Sequence, residues 1–482
     1  MASAAFGALA PSKIPLCPVL LLGLLLSASV LWSMANAANP ASTSKQQPSK
    51  AISEQLVGAI NDLARTLGQQ LGASTGSNSS KAEIFSPVSI GSMMFLLLRA
   101  SNVQARSELL TVLGLEQFKT PRVNMSIAQN LGRLLKELRH DIPGKGILDQ
   151  LPDWQSARNC NSATADYDDE EEDDDNYLEE PIQPNVVKLA NAMFFQEGLV
   201  TDEKFVRTAQ NAYQAQIQQV NFAQQPHAAL IAINDWVNRS THGRIEEILT
   251  QEPDRSTQVI LANALYFKGT WETFFNEPQY TRQQPFYPDG ENEPSVMVPT
   301  MFAGGCYPYH YSPELDARIM AFPYRNRTTS MYIILPNDSN RTKVRHLQAT
   351  LSSAALDRLI DRMRLQKAMV QVPRMHITST YDLKAMLQKL GLNALFDNSR
   401  SKQKITPNGD KIRPAKLFID QMKHKIDLDV NERGTEGGAV TITAMERSLP
   451  PVTFRVRGPF LLAIRHDPTK MLLFYGAVFD PS

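Results

Sequence analysis

The sequence predicts an α+β fold built as one large domain. Apolar residues recur at helical spacing in three stretches, residues 51–70, 126–139 and 228–240. Apolar and β-branched runs indicate buried strands at residues 185–195, 258–267 and 460–480, the last as a hairpin. Strands and helices follow no βαβ repeat, and no Gly/Ser-rich linker divides the chain. We therefore expect mixed sheets covered by helices rather than a parallel α/β sheet.

The first 37 residues have the features of a secretory signal. Lys13 is their only charged residue, an apolar run extends from Val19 to Trp32, and Ala35-Asn36-Ala37 is a small-residue cleavage pattern. The apolar run is shorter than the ~20 residues that a membrane span needs. We predict a signal peptide at 1–37, a flexible segment at 38–50 and a secreted, extracellular protein without a membrane anchor.

Six N-glycosylation triplets agree with the secretory route. The candidate acceptors are Asn78, Asn124, Asn238, Asn326, Asn337 and Asn340. After Cys17 leaves with the signal peptide, Cys160 and Cys306 remain. A chain of this size does not need a disulfide framework, so the sequence leaves open whether these two cysteines pair or stay free.

The zero net charge conceals one acidic segment in a basic protein. Residues 166–180 hold eleven acidic residues and no base. The rest of the mature chain has 48 basic against 38 acidic residues, a net charge of +10. Repulsion among like charges favours a solvated loop for this segment.

Motifs for catalysis, metal binding and nucleic-acid binding are absent from the sequence. There is no HExxH, CxxC or Walker pattern, and the eight histidines are scattered. His424 and Ser448 do not indicate a triad, because Ser448 is followed at once by Leu-Pro-Pro rather than by a nucleophile turn. The basic residues lack interleaved aromatics. We expect no enzyme activity, no resident metal or cofactor, and no nucleic-acid partner.

Residues 431–451, NERGTEGGAVTITAMERSLPP, combine a strand-forming stretch with a protease site. Small and β-branched residues from Ala439 to Ala444 suit a strand, while Gly434, Gly437 and Gly438 weaken its beginning. The bond after Arg447 is of the type that trypsin-like proteases cleave.

Five motifs, in order along residues 51–482, resemble the serpins, the serine protease inhibitors. They are FSPVSI at 85–90, NALYFKGTW at 263–271, STYDLKAMLQKLGL at 379–392, HKIDLDVNERGTEGGA at 424–439, and GPF with FYGAVFDP at the C-terminus. The resemblance implies a serpin fold of three β-sheets with eight or nine helices and an exposed reactive-centre loop. The domain would span 51–482, with the acidic stretch as an insertion at about 141–184.

The resemblance also assigns roles to individual residues. The shutter, a polar cluster beneath the centre of the main sheet, would comprise Ser86, Ser89, Asn263 and His424. The breach, where the loop first inserts, would contain Trp271 and Arg374, with Arg374 and Glu432 forming an exposed ion pair. The hinge would comprise Glu432, Gly434, Thr435, Glu436, Gly437, Gly438 and Ala439.

In this family a protease cleaves the loop as bait, and the freed loop inserts into the main sheet while still bound to the protease. If Thr435 points inward, alternation along a strand also places Gly437, Ala439, Thr441, Thr443 and Met445 inward; all but Met445 are small, and none is charged. This pattern favours a monomeric suicide inhibitor that forms a covalent complex. Gly437 and Gly438 depart from the usual alanines, so a non-inhibitory carrier, chaperone or storage serpin is the alternative.

The scissile bond has two candidate positions. Trypsin-like chemistry favours Arg447-Ser448, and the sequence RSLPP resembles the bait of serpins directed at trypsin-like proteases. The commonest loop length in the family, counted from Glu432, instead gives Ser448-Leu449 and an elastase-like target. We favour Arg447.

Two further features could recruit partners. Arg133, Lys136 and Arg139 lie opposite the apolar stripe of the helix predicted at 126–139, and the equivalent serpin helix binds heparin in some members. The resemblance therefore makes them candidate contacts for a heparin-like polyanion. Tyr167 and Tyr177 are candidate sulfation sites in a segment similar to the acidic arm by which one heparin-dependent serpin engages a protease exosite.

Overall fold

The computed structural model describes residues 43–74, 80–118, 123–140, 151–156, 160, 185–325, 327–397, 418–435 and 450–482. Within these residues there are ten α-helices. They are α1 (Thr43–Ser74), α2 (Pro87–Ala100), α3 (Val103–Val112), α4 (Val123–His140), α5 (Asp153–Ser156), α6 (Glu203–Ala212), α7 (Pro226–Ser240), α8 (Arg341–Thr350), α9 (Ser353–Asp361) and α10 (Leu383–Lys389). Residues Ile52–Ser482 form one compact unit.

The described residues also contain fifteen strands. They are β1 (Ala82–Phe85), β2 (Val186–Gln196), β3 (Ala215–Val220), β4 (Val259–Thr270), β5 (Arg282–Phe286), β6 (Val296–Ser312), β7 (Ala317–Pro323), β8 (Thr329–Pro336), β9 (Arg364–Pro373), β10 (Met375–Asp382), β11 (Gln421–Val430), β12 (Gly434–Thr435), β13 (Val452–Arg455), β14 (Phe460–His466) and β15 (Met471–Val478).

Two hydrogen-bonded sheets result. A six-stranded sheet has the order β10-β11-β4-β2-β3, with β12 added beside β4, and a nine-stranded sheet contains the remaining strands. The long strand β6 pairs with β5 and β9 in its first part and with β7 in its last, so it joins what would otherwise be two sheets. The predicted α+β class of mixed sheets and helices is confirmed.

The predicted elements lie where their patterns indicated. The helices expected at 126–139 and 228–240 are α4 and α7, and the C-terminal hairpin is β14 and β15. The first helix begins at Thr43 rather than at residue 51, so it takes in part of the segment expected to be flexible. Within the part of the chain described above, no helix combines the length and apolarity that a bilayer span requires.

The apolar core explains why helix α2 lies beneath the six-stranded sheet. Thirteen of its fourteen residues are buried, and most of them are apolar. Ser86 caps its N-terminus through a hydrogen bond from the backbone N–H of Ser89 to the Ser86 hydroxyl, 3.3 Å. The helix is therefore fixed with its small polar residues facing the strands above it.

Cys160 and Cys306 form a disulfide, which decides the alternative that the sequence left open. The bond closes a separation of 146 residues and brings the two Cα atoms to 5.7 Å. Cys306 lies on β6, opposite Lys367 of β9. The bond attaches the expected insertion at 141–184 to the nine-stranded sheet.

Candidate functional site

The six-stranded sheet is closed at one end and open at the other. Strands β4 and β11 run parallel and pair only from Ile260 with Gln421 to Leu265 with Ile426. Beyond this point β4 continues to Thr270 without pairing to β11. The two central strands therefore leave a gap at their upper ends, where another strand can pair.

Residues Gly434 and Thr435 occupy the beginning of this gap. They form β12, which runs antiparallel to β4 with Gly434 opposite Thr270 and Thr435 opposite Gly269. Gly434 has a φ of +143°, and a Cβ there would lie 2.1 Å from the carbonyl oxygen of Gly269. Only glycine fits this close approach, so the hinge residue is fixed by its contact with β4.

Thr435 points into the protein, as strand alternation predicted. Its side chain is 1% exposed, and its hydroxyl lies 2.9 Å from the hydroxyl of Tyr324. Tyr324 stacks on Trp271 with ring centroids 4.4 Å apart and meets the edge of Phe267 at 4.9 Å. Burial raises the pKa of Tyr324 above its ordinary value, so its hydroxyl stays neutral. The first inserted side chain thus enters an aromatic pocket with one polar partner.

Trp271 connects the end of β4 to the turn that precedes the hinge. Its indole Nε1–H donates to the carbonyl oxygen of Asn431 at 2.9 Å, and its backbone N–H donates to that of Arg433 at 3.3 Å. The side chain is 1% exposed. Trp271 therefore lies at the breach that the sequence assigned to it.

The expected ion pair between Arg374 and Glu432 is not formed among the described residues. Arg374 is exposed, whereas Glu432 is 3% exposed and accepts a hydrogen bond from the hydroxyl of Thr281 at 2.5 Å. The turn after β11 directs the Glu432 carboxylate inward, because its backbone carbonyl is held by the N–H of Phe275 at 3.3 Å. The prediction of an exposed ion pair was wrong, and a buried hydrogen bond takes its place.

A chain of polar side chains crosses the closed part of the sheet. The backbone N–H of Ser86 donates to Nε2 of His424 at 2.9 Å, and His424 Nδ1 contacts Oδ1 of Asn263. The Asn263 amide in turn donates to Oδ1 of Asn191. These contacts join α2, β11, β4 and β2, since His424, Asn263 and Asn191 are register partners on adjacent strands.

The series of hydrogen bonds continues from Asn191 back to helix α2, and its donors and acceptors follow one direction throughout. The Asn191 amide donates to the hydroxyl of Ser92 at 3.1 Å, and that hydroxyl donates to the carbonyl oxygen of Ser89 at 2.8 Å. His424, Asn263, Asn191 and the Ser92 hydroxyl each accept one hydrogen bond and donate one along it, whereas Ser89 takes part through its backbone carbonyl and its buried hydroxyl has no partner among the described residues. Sequence reasoning assigned Ser86, Ser89, Asn263 and His424 to this cluster but missed Asn191 and Ser92.

His424 is neutral in this series of hydrogen bonds. Its Nε2 accepts from Ser86, so the ring proton is on Nδ1 and is donated to Asn263. Burial lowers the pKa of His424 to about 3, because the fully buried ring loses the solvation of its charged form. Any strand that enters between β4 and β11 must separate His424 from Asn263 as well as the backbone pairing from Ile260–Gln421 to Leu265–Ile426, so this contact is one of those that hold the sheet closed.

Other predicted site residues lie apart from this centre or outside the described residues. Outside them are Glu436, Gly437, Gly438, Ala439, Arg447, Ser448, Leu449, Tyr167, Tyr177, Asn78 and Asn326. Asn124 is on α4, Asn238 on α7, and Asn337 and Asn340 flank the start of α8. Asn337 donates to Asp316 at 2.7 Å, and Asn340 caps α8 by accepting from the N–H of Lys343 at 2.9 Å.

The basic residues of α4 form a modest cationic face. Arg133 and Lys136 are exposed, while Arg139 is half-buried with its Nε–H directed to the carbonyl oxygen of Leu135 at 3.4 Å. Glu137 lies on the same helix and reduces the positive potential. Two of the three predicted cations, Arg133 and Lys136, are therefore exposed on this face.

Comparisons with known proteins agree with this geometry. Residues 58–481 match the family described as Serpin (serine protease inhibitor). Serine protease inhibitor 28Dc of Drosophila melanogaster is 32% identical over 469 residues, covering 92% of this chain and 82% of the relative. Alpha-1-antitrypsin 1-3 of Mus musculus is 33% identical over 306 residues, covering 63% of this chain and 71% of the relative.

Solved structures show the same fold at lower identity. Human thyroxine-binding globulin has a TM-score of 0.71 at 21% identity, covering 89% of this chain and 100% of that structure. Mouse protein-Z dependent protease inhibitor has a TM-score of 0.68 at 19% identity, covering 89% and 98%. On the family match, the identity to curated relatives and the gapped central sheet, the chain belongs to the serpin family.

Proposed function

We propose that this serpin is a secreted suicide inhibitor of an extracellular trypsin-like serine protease. The protease would cleave the reactive-centre loop and form its acyl-enzyme, and the freed loop would insert between β4 and β11. The observation that carries this proposal is the position of Thr435, which is already buried at the top of the gap and paired with β4. Insertion would then extend strand β12, which is already paired with β4 before the loop is cleaved.

The loop sequence supports extension of that strand. Alternate residues after Thr435 are Gly437, Ala439, Thr441 and Thr443, which are small and uncharged. Glu436 and Glu446 fall on the opposite, solvent face, and no proline interrupts the strand before Pro450. An inserted strand can therefore replace the β4–β11 pairing without burying a charge.

The protease partner is proposed from the residue before the scissile bond. Arg447 suits the acidic specificity pocket of a trypsin-like enzyme, and cleavage after Ser448 would instead indicate an elastase-like target. Incubation with secreted proteases of both classes tests the proposal on denaturing gels. We expect a stable one-to-one adduct with a trypsin-like enzyme, together with a released C-terminal peptide that begins at Ser448. A peptide that begins at Leu449 would assign the other bond.

Several accessory features belong to the same proposal. Residues 1–37 would be removed on secretion, so the mature N-terminus would be Ala38, and glycans would occupy some of the six triplets. The acidic segment 166–180 would steer a protease exosite, and the α4 cations would bind a heparin-like polyanion. Measurement of the association rate with and without heparin tests the last two.

A non-inhibitory role is the alternative, and two observations favour it. The structural neighbours include thyroxine-binding globulin in complex with thyroxine, so this fold is compatible with a carrier. Gly437 and Gly438 would also weaken an inserted strand relative to alanine. The absence of any covalent adduct with the whole protease panel would favour this alternative.

A further inference from the structure

A short segment of the expected insertion is part of the protein core. Trp154 of α5 is 4% exposed, and its indole Nε1–H donates to the carbonyl oxygen of Ile360 at 3.2 Å. Gln155 is 5% exposed, and its amide donates to Oδ2 of Asp467 at 2.7 Å. These contacts attach α5 to the end of α9 and to the β14–β15 turn.

The Asp467 carboxylate makes this attachment specific. It is buried and also accepts from the Tyr332 hydroxyl at 2.7 Å, the Ser330 hydroxyl at 2.8 Å and the Arg465 guanidinium at 3.1 Å. Removing one donor from a buried carboxylate is costly, because the oxygen cannot recover water. Release of Gln155 would therefore leave the buried Asp467 carboxylate with one hydrogen bond fewer, and this cost holds Gln155 in place.

The disulfide provides a second anchor five residues further along the chain. Cys160 is bonded to Cys306 of β6, while Trp154 and Gln155 are bound to α9 and to the β14–β15 turn. We call residues 152–156 and the Cys160–Cys306 bond the strap. Because it is fixed at both ends, it cannot leave the surface unless a buried side chain or a covalent bond is released.

The strap touches the turn that holds the hinge. The backbone carbonyl oxygen of Gln155 accepts from the guanidinium of Arg327 at 2.8 Å, and Arg327 also forms an ion pair with Glu272, next to Trp271. Arg327 lies in the β7–β8 turn, where its backbone N–H donates to the carbonyl oxygen of Tyr324 at 2.7 Å. The β7–β8 turn thus contains both Arg327, which contacts the strap, and Tyr324, which contacts Thr435.

We propose that the strap positions the β7–β8 turn and thereby controls how firmly Gly434 and Thr435 are held in the gap of the sheet. Arg327 is a positioning residue in this arrangement, since it contacts the strap and Glu272, just after the end of β4. When the strap is released, Tyr324 loses part of its support and the hinge leaves the sheet more often. The consequence for trapping rests on the proposed inhibitory function, whereas the effect on the hinge does not.

Hydrogen exchange of the full-length protein tests the effect on the hinge. In Trp154→Ala, the amides of residues 431–435 should exchange at least tenfold faster than in wild type. Trp236→Ala is the matched control, because Trp236 is 3% exposed on α7 and packs on Phe194 at 5.6 Å without contacting the strap. An equal increase in both tryptophan variants, after correction for global stability, would contradict the proposal.

A second variant tests the covalent anchor and avoids a large cavity. Cys160→Ser with Cys306→Ser leaves Trp154 and Gln155 in place, and it should accelerate exchange at 431–435 in the same direction by a smaller factor. If the hinge amides exchange at the wild-type rate in the double-serine variant while residues 151–156 exchange faster, the strap does not position the hinge. The double-serine variant therefore tests whether the strap positions the hinge even if Trp154→Ala fails to fold.

A trapping assay then separates the two proposals. With a trypsin-like enzyme that forms an adduct with wild type, the double-serine variant should need at least twofold more inhibitor per protease, because a loosened hinge starts insertion later. If wild type forms no adduct, the proposed function fails and the exchange result still stands. If the variant traps as efficiently as wild type despite a faster-exchanging hinge, the strap has no role in insertion.

Discussion

Replacing Thr435 by arginine places a charge at the first buried position of the inserting strand. The wild-type side chain is 1% exposed and contacts the hydroxyl of Tyr324, whose ring packs against Trp271 and Phe267. Within the described residues, the polar atom found beside it is the Tyr324 hydroxyl, which cannot neutralise a guanidinium. Thr435→Arg therefore introduces a buried cation without a counter-ion.

The cost differs between the intact and the inserted states. In the intact protein the hinge can leave the gap, so the loss is limited to about 1 kcal/mol for the Thr435–Tyr324 hydrogen bond and its packing. In the inserted state the strand continues below residue 435 and the guanidinium cannot escape, so a penalty of about 3 kcal/mol applies. If this penalty is felt in the transition state for insertion, insertion slows by about two orders of magnitude.

The stoichiometry of inhibition measures the competition between insertion and hydrolysis of the acyl-enzyme. We expect Thr435→Arg to be cleaved in the loop and to release active protease, so that it behaves as a substrate. Thr435→Val is the control, because it keeps nearly the same volume and lacks only the hydroxyl, and it should trap protease close to the wild-type ratio. A wild-type stoichiometry for Thr435→Arg would refute the insertion of this residue beneath the sheet.

Four further predictions address separate parts of the site. Burial lowers the pKa of His424 from 6.5 to about 3. Below pH 6.5 the unfolded state therefore binds a proton that the folded state excludes. The free energy of unfolding should fall as a result, by about 2 kcal/mol at pH 5 relative to pH 7.5. In urea unfolding at these two pH values, His424→Gln should lose that part of the pH dependence, and an unchanged dependence would show that His424 does not cause it. Asn191→Ala should lower the unfolding free energy by about 2 kcal/mol, because Asn263 and Ser92 each lose a buried partner; an unchanged urea midpoint would show that the polar chain is not needed. Arg447→Ala should abolish inhibition of trypsin-like proteases at unchanged thermal stability, and retained inhibition with a C-terminal peptide beginning at Leu449 would move the scissile bond to the next residue. Deletion of 166–180 should change the association rate and its salt dependence more than the melting temperature, since surface charge is screened over ~8 Å at physiological ionic strength; equal rates at low and high salt for both proteins would leave the segment without a steering role.

The centre of the site could be predicted from local pattern and from the cost of burying polar groups. Asn263 lies in the middle of an apolar run, so it needed a partner, and the serpin resemblance supplied His424. Strand alternation predicted that Thr435 points inward. Asn191 carries the same signal as Asn263, an amide within the apolar run at 185–195, and the same argument could have found it.

Contacts between distant parts of the chain could not be predicted in this way. The Gln155–Asp467 hydrogen bond spans 312 residues, and the disulfide spans 146. Neither is encoded in a periodic pattern, and Trp154 lies in the stretch 141–184 that the resemblance indicated to be an insertion. Glu432 was assigned to an exposed pair because the sequence does not show that the turn after β11 directs its carboxylate toward Thr281.

Thermal unfolding of loop-cleaved and intact protein tests the central claim most directly. Cleavage in the loop by a protease that is then removed frees the strand to enter the gap between β4 and β11, where it gains backbone pairing on both sides. We predict that the cleaved protein unfolds at a clearly higher temperature than the intact protein, and that residues 259–270 and 421–430 become more protected from hydrogen exchange. An equal or lower unfolding temperature, with unchanged protection of both strands, would contradict the account, because the cleaved loop would then remain outside the sheet.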